Sequence, residues 1–554
     1  MNPPSKIDYQ IMWNRLIAVV EEQATTLIRT AFSTSVREAG DLSAGLFDRR
    51  GRMIAQAVTG TPGHVNAMAE SVTHFIREIG ALNMFEGDVY MTNDPWMGTG
   101  HLHDITVVSP VFRAGRHIGF FACTAHVVDI GGRGFGPDGT EVFEEGLLIP
   151  IMKFAERGVV ADVLIKLVRA NVRAPDQVVG DMYSLAACNA AGERRLQAML
   201  DEFTLDEIDG LADYIISASR DATRAAIAAL PRGRFENTMQ VDGYDAPVHM
   251  QVALEIAADR VSADFAGTSG MSKFGVNCPE VYTRAYACYG LKCAIAPQVP
   301  NNSGSLEPFE ITAPEGSILA AKRPAAVSVR HVMGHLVPDV VLGALHKAIP
   351  GQVPAEGASA LWNIQISARA SDAASGLPSA EVLMFNSGGT GARPCVDGLS
   401  ATAFPSGVST MSVEATEHVG PITVWRKELW ANSGGAGRQR GGLGQIIEIE
   451  PRAGYDFYFN AMFDRVDYPA RGREGGQDGA PGRVALTDGT ALRAKGRQLV
   501  KNGQRLRLCL PGGGGYGPAQ ERDPQDVAND LAAGYITGQE TPGPHRSDGK
   551  NKEE

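Results

Sequence analysis

Residues 93–132 read NDPWMGTGHLHDITVVSPVFRAGRHIGFFACTAHVVDIGG. Two apolar runs, Ile105–Phe112 and Ile118–Ala125, flank Arg113-Ala114-Gly115-Arg116, whose glycine accepts the positive φ of a tight turn. The pattern predicts a β-hairpin. A two-residue loop at Ala114-Gly115 pairs Arg113 with Arg116. Continued without interruption, that register sets His103 opposite His126 and Asp104 opposite Ala125. Two His-x-x-Asp pairs, His101/Asp104 and His126/Asp129, then converge at the open end of the hairpin. Strand alternation puts His101, His103 and His126 on one face. Asp104 joins them only if the chain ahead of the strand is irregular, which Gly98-Thr99-Gly100 permits.

Imidazole plus carboxylate, with no thiolate, suits a divalent Zn, Mn, Fe or Co ion. One His-x-x-Asp is an ordinary surface pattern. Two of them, gathered by one hairpin in a glycine-rich neighbourhood, make a candidate metal or catalytic site.

Composition bounds the remaining choices. A chain of 554 residues has room for about two to four domains. Its 44% apolar and 21% charged content is that of a globular protein. The formal charge of −12, without any basic run, excludes a nucleic-acid-binding surface. Seven cysteines form no C-x-x-C pair, which favours reduced thiols. The first residues lack a basic-then-apolar leader and no window reaches about 18 apolar residues, so the expectation is a cytoplasmic protein without a membrane span.

Helical spacing runs over Asp8–Ser33, from His64 to about Ile79, and over Gly158–Ala170, Asp181–Ala229, Tyr282–Ile295 and Val337–Ile349. Val36–Ala57 reads as two short strands around the turn Asp48-Arg49-Arg50-Gly51. Strands dominate from about Gly233, with a strand-like Ala325–Val329 just before Arg330 and His331. These two either line the site or pair structurally, the structural role being favoured. The expected architecture is α+β and multi-domain. Residues 1–230 form a mixed α/β region carrying the site, 231–520 a β-rich region, and 521–554 an extension whose polar end, His545–Glu554, is expected to be disordered.

Glycine clusters at 388–391, 434–437, 441–444 and 512–515 suggest nucleotide loops, yet no G-x-x-x-x-G-K-[ST] occurs. Turns in a β-rich region account for them better. Ser433–Gly441, with Arg438 and Arg440, is the one stretch suited to an anion. No G-x-S-x-G nucleophile elbow is present.

Taken in order, the motifs resemble a known family. They include Arg37-Glu-Ala-Gly-Asp-Leu-Ser43, His64-Val-Asn-Ala-Met68, Asn93-Asp-Pro95, His101-Leu-His-Asp104, His126-Val-Val-Asp-Ile-Gly-Gly132, Glu144-Glu-Gly146, Val172-Arg-Ala-Pro-Asp176 and Asn277-Cys-Pro279. Further on come Pro314-Glu-Gly-Ser317, Ser433-Gly-Gly-Ala-Gly-Arg438, Arg440-Gly-Gly-Leu-Gly444 and Pro511-Gly-Gly-Gly-Gly-Tyr-Gly517. With order and spacing kept over about residues 7–540, the chain resembles the B component of the hydantoinase/5-oxoprolinase group, seen also in acetone and acetophenone carboxylases and in caprolactamase-type enzymes.

The resemblance implies a separate A component, a hydantoinase A-like ATPase of the sugar-kinase/actin type, in an (AB)₂ or larger heteromer. ATP with Mg would reside on that partner, which activates a small cyclic amide, a ketone enol or bicarbonate by phosphorylation. The family's ligand positions fall on His101, Asp104 and His126, with Asp41 a further ligand. Asp129 would orient an imidazole and share proton handling with His64, unless His64 only caps its helix. The family often has Pro at the place of His103 and a second His at that of Val127. His103 is therefore either an extra ligand or a solvated neighbour. The implied activity is ATP-dependent hydrolysis of a cyclic amide, the alternatives being a ketone carboxylase subunit and a non-catalytic scaffold.

Overall fold

The computed structural model describes residues 5–58 and 61–538; the expected disordered end, His545–Glu554, lies outside them. Helix α1 (Lys6–Thr30) opens on a capping box in which Ser5 Oγ accepts from Asp8 N–H at 3.2 Å. Met12, Leu16, Val19, Val20 and Leu27 are buried along it. The helix stops short of Ser33 because Asp181 Oδ1 captures the Phe32 and Ser33 N–H groups at 2.8 and 3.1 Å. A single turn, α2 (Thr34–Arg37), precedes β1 (Leu42–Asp48) and β2 (Met53–Gln56). Helix α3 (Pro62–Ile79) has proline at its start, where no N–H is missed. Strands β3 (Val89–Thr92), β4 (Asp104–Arg113), β5 (Arg116–His126), β6 (Met152–Glu156) and β7 (Val159–Val160) complete an antiparallel sheet of order β2-β1-β5-β4-β3-β6-β7.

Helix α4 (Asp162–Asn171) follows, the expected start at Gly158 being a turn and the short β7 instead. The expected run 181–229 is two helices, α5 (Pro175–Glu202) and α6 (Asp209–Ala228), separated where Thr204 takes a positive φ of 54°. Helices α1 and α5 cover one face of the sheet, α3 the other. Leu46, Phe121 and Cys123 join the first core, Phe47, Phe120 and Ala122 the second. Burial on both faces is why β4 and β5 read as continuous apolar runs without polar alternation.

The hairpin keeps its expected register only near the turn. Arg113 pairs with Arg116 and Phe112 with His117, but Val111 then pairs with Gly119, leaving Ile118 as an extra residue. This β-bulge shifts every later pair by one, so Asp104 faces His126 and Ile105 faces Ala125. Gly119 is needed beside the bulge because a Cβ there would lie 2.5 Å from the Phe47 carbonyl of β1. The bulge brings Asp104 onto the same face as His126.

Beyond residue 230 come β8 (Gly233–Val241), β9 (Val248–Ile256), β10 (Val261–Asp264), α7 (Glu280–Ile295), α8 (Ser303–Leu306), β11 (Phe309–Thr312), α9 (His331–Gly334) and α10 (Val337–Ala348). The second sheet has order β11-β10-β9-β8. The segment expected to be strand-like at 325–329 is an isolated bridge from Ala325 to Glu141 followed by irregular chain and a turn that carries Arg330 to Asp104.

Two more four-stranded sheets use β12 (Ile364–Ala370), β13 (Ala380–Met384), β14 (Ile422–Leu429, after α11, Val413–Val419), β15 (Gln445–Pro451), β16 (Tyr455–Met462), β17 (Arg483–Leu486), β18 (Lys495–Val500) and β19 (Leu506–Cys509). They share a core of Trp362, Ile366, Phe457, Phe459, Ile447 and Leu508. Helix α12 (Pro524–Ala532) lies in the C-terminal extension. One large core runs from Met12 to Met462, across residue 230. Among the described residues no helix is long and apolar enough to cross a membrane.

Candidate metal centre

Four separate elements converge on the Asp104 carboxylate. Oδ1 lies 2.7 Å from His101 Nε2 and 3.1 Å from His126 Nδ1. Oδ2 accepts from Thr99 Oγ1 at 2.6 Å and from Arg330 Nη2 at 2.6 Å, with His64 Nε2 at 2.9 Å. One oxygen thus faces two imidazoles while the other is tied to the frame. Gly100 sits at φ +100°, and a Cβ there would lie 3.2 Å from both Arg330 Nε and Tyr282 Cβ, so glycine leaves room for the arginine. Arg330 is buried over the Tyr282 ring at 4.1 Å and also donates to the Thr99 carbonyl at 3.0 Å. Of the two sequence readings, lining the site or pairing structurally, its ion pair with Asp104 places it beside the trio in a pairing that holds the carboxylate.

His101, Asp104 and His126 each offer a ligand atom, and these atoms lie within 4.8 Å of one another. His101 Nδ1 sits 2.7 Å from the Ser328 carbonyl, so the proton belongs on Nδ1 and the Nε2 lone pair points inward. With the proton on Nδ1, His101 Nε2 and the Asp104 oxygen 2.7 Å away both present lone pairs, while His126 Nδ1 lies within hydrogen-bond distance of the same oxygen. Close approach without a shared proton is how two ligands of one cation sit. Ligands about 2.1 Å from a common ion are roughly 3.0–3.4 Å apart, near the separations here. The residues present fit a divalent cation.

Electrostatics follow from burial. Burial, with the Arg330 guanidinium alongside, lowers the His101 imidazole to about 3, so it is a neutral donor. Burial alone would raise the Asp104 carboxyl, but His101, His64 and Arg330 together hold it well below the usual carboxylate range. His64 is disfavoured as a cation by burial, yet the flanking Asp104 and Asp41 outweigh that and raise it.

The other sequence candidates divide. Asp41 stands just before β1, accepting from Thr61 Oγ1 at 2.7 Å and lying 3.6 Å from His64 Nδ1. It borders the trio through His64. His64 lies in the first turn of α3, whose N-cap is Thr61, and its ring nitrogens approach Asp104 and Asp41. His103 is buried, not solvated: its ring stacks on His126 at 5.5 Å and both its nitrogens lack a partner among the described residues. Asp129 does not orient an imidazole. β5 ends at His126 and the chain turns, so the Asp129 carboxylate accepts from Gly131 N–H at 3.1 Å and from Arg173 at 2.8 Å. The anion-type stretch is filled from within, Arg438 pairing with Glu521 at 3.2 Å and Arg440 with Asp530 at 3.1 Å.

Sequence reading missed Glu145, whose Oε1 accepts the Val327 and Ser328 N–H groups at 2.7 Å and so positions the carbonyl that holds His101. It also missed His335 and Asn363, which line the cavity beside the trio. The spacing His331-x-x-x-His335 was the only signal for the first; a lone asparagine carries none.

Burial pushes the Glu145 carboxyl up to about 8 against backbone donors that lower it. A raised folded-state value means the stabilisation is complete below the unfolded value near 4.5 and disappears as pH rises through 8. Stability should therefore fall by roughly 3–5 kcal/mol between pH 5 and 9. Denaturant titrations of the parent and Glu145→Gln at both pH values check this: the parent carries the slope and the amide variant lacks it.

A buried two-histidine, one-carboxylate cluster seated at the mouth of a β-hairpin within an α+β fold defines a candidate mononuclear metal protein. The chain belongs to the hydantoinase B/oxoprolinase family, whose model matches residues 5–519. It is 29% identical to a Pseudomonas sp. (strain NS671) protein provisionally named as the B component of a D-/L-hydantoinase, over 96% of this chain and 93% of that one. It is likewise 29% identical to 5-oxoprolinase 1 of Arabidopsis thaliana, matching 93% of this chain but 42% of that longer protein. The ATP-dependent caprolactamase of Pseudomonas jessenii superposes with TM-score 0.88 at 25% identity, over 97% of this chain and 95% of that one. Nucleotide-free acetone carboxylase has the same fold, with TM-score 0.84, 19% identity and coverage of 96% and 78%.

Proposed function

We propose that this chain is the B component of an ATP-dependent cyclic-amide hydrolase, opening a ring that a hydantoinase A-like ATPase partner has activated by phosphorylation. The observation that carries the reading is the divided Asp104 carboxylate, one oxygen presented with His101 and His126 and the other fixed by Arg330 and Thr99. The hydantoinase-component relative and the match to less than half of a longer 5-oxoprolinase support a function completed by a second polypeptide. The division at residues 230 and 520 belongs to the same proposal, the first region carrying the cation ligands.

Amide resonance makes a lactam or imide resistant to water, and phosphorylating its oxygen yields an electrophilic carbon with phosphate as leaving group. When bound at His101, Asp104 and His126, with Asp41 nearby, a divalent Zn, Mn, Fe or Co ion supplies Lewis acidity and makes water more acidic. Arg330 and Thr99 hold Asp104 in one orientation, and Ser328 holds His101 in one tautomer. His64, between Asp104 and Asp41, takes the proton from the attacking water and returns it to the ring nitrogen as the C–N bond breaks, leaving an acyl phosphate from which a second water releases phosphate. The buried walls exclude bulk water, limiting loss of the activated species.

The test mixes the purified chain with an A-type ATPase, ATP and Mg, then separately hydantoin, 5-oxoproline, or a ketone with labelled bicarbonate. Ring opening matched by ADP release is expected. Label entering a ketone acid with no ring opened would replace the reading by a ketone carboxylase.

A further inference from the structure

A cavity of about 20 Å³ adjoins the trio, lined in part by Asp41, His64 and His126. That volume admits about one water. The lining also draws on the second half of the chain: His331 on α9, His335 just after it, and Asn363 on the approach to β12, together with the apolar Leu361, Phe385 and Val408. Both nitrogens of His331, Nδ1 of His335 and Oδ1 of Asn363 are buried with no hydrogen-bond partner among the described residues. Each such orphan costs a fold about 1–3 kcal/mol, and all four belong to residues that line this cavity.

We infer that His331, His335 and Asn363 form the recognition wall for the polar edge of a ring-form amide, in the cavity that His126 also lines. The inference rests on the ring-opening reading above. A hydantoin phosphorylated on one carbonyl oxygen still holds the N–H and C=O of its other amide on the same side, at the spacing of a primary amide's own C=O and NH₂. Asn363 can therefore pair with it through two parallel hydrogen bonds, whereas a ketone, lacking N–H, accepts only one. His331 and His335 each add one donor and one acceptor as neutral imidazoles. His335 Nε2 is 3.4 Å from the Tyr282 hydroxyl, which steadies the ring and leaves Nδ1 as its unpartnered nitrogen. The apolar neighbours suit the ring's faces. The Phe135 ring stands 4.9 Å from His126 and 5.5 Å from His331, so ring entry requires it to swing aside.

Asn363→Leu and His331→Phe keep side-chain size while removing the orphan atoms. In the full chain, metal content should match the parent and melting temperature should hold or rise, because an orphan polar group is replaced by an apolar one. With the A-type partner and ATP, KM for hydantoin should rise tenfold or more in Asn363→Leu. A lowered melting temperature in both variants, or a KM within twofold of the parent, overturns the inference. If the parent complex opens no ring, the ring-opening reading falls and the amide assignment with it. Destabilised variants beside a working parent sink only the wall.

Discussion

Replacing His101 and His126 together by alanine is expected to lower transition-metal content from about one equivalent by elemental mass spectrometry to under a tenth. The size of the effect follows from ligand count. Changing an orienting partner of a ligand typically loosens a metal 10–100-fold; removing two of three ligands leaves Asp104 alone, and one carboxylate does not hold a first-row ion at micromolar concentration. Ring opening with the A-type partner should fall at least about 10³-fold, since metal assistance supplies several kcal/mol of barrier lowering. The fold should survive, because Asp104 Oδ2 keeps Arg330 and Thr99. His103→Ala is the matched control. Its nitrogens lie outside the trio, so metal content should remain near parental. Metal retained by the double variant would move the site elsewhere. A parent without metal, even after rebinding, together with turnover retained in the variant, would bring the scaffold alternative forward.

How much of this site was legible depended on whether its cause was local. The turn Ala114-Gly115 and the two apolar runs are local signals, and both stand where expected. The bulge at Ile118 is not written in residue type; it arises from Gly119 packing against β1. Without it Asp104 needed an irregular lead-in to meet His126, and with it strand pairing suffices. Arg330 and Glu145 lie 226 and 182 residues from their partners Asp104 and Val327, beyond any spacing rule. Asp129 failed in the opposite sense. Its spacing from His126 copied that of His101 to Asp104, but β5 ends at His126 and Arg173 takes the carboxylate.

The glycine clusters test a different physical claim. Read as turns, they should show positive φ, yet none of the glycines at 388–391, 434–437, 441–444 or 512–515 is in that region. Their segments instead lie against one another, Gly513 N–H donating to the Gly442 carbonyl, Gly442 to Thr390 and Gly389 to Pro511. Glycine is required there by contact. A Cβ at Gly389 would stand 1.8 Å from the Gly442 oxygen, and one at Gly512 1.8 Å from the Ser433 oxygen. Both obstacles are hydrogen-bonded backbone, so no side chain can rotate away. Gly389→Ala and Gly512→Ala should each destabilise by more than about 4 kcal/mol, in the exceptional range for one substitution. Gly489→Ala provides the contrast: its φ is +96° with nothing within 4 Å of the added carbon, so only the backbone strain of about 1–2 kcal/mol applies. Parallel denaturant titrations should rank the bundle variants far below the turn variant. Equal losses at all three sites would mean that conformation, not contact, selects these glycines. The bundle also steadies the recognition wall, since Gly389 accepts from Ala358 N–H and Asn386 accepts from Trp362 N–H, one residue before Asn363.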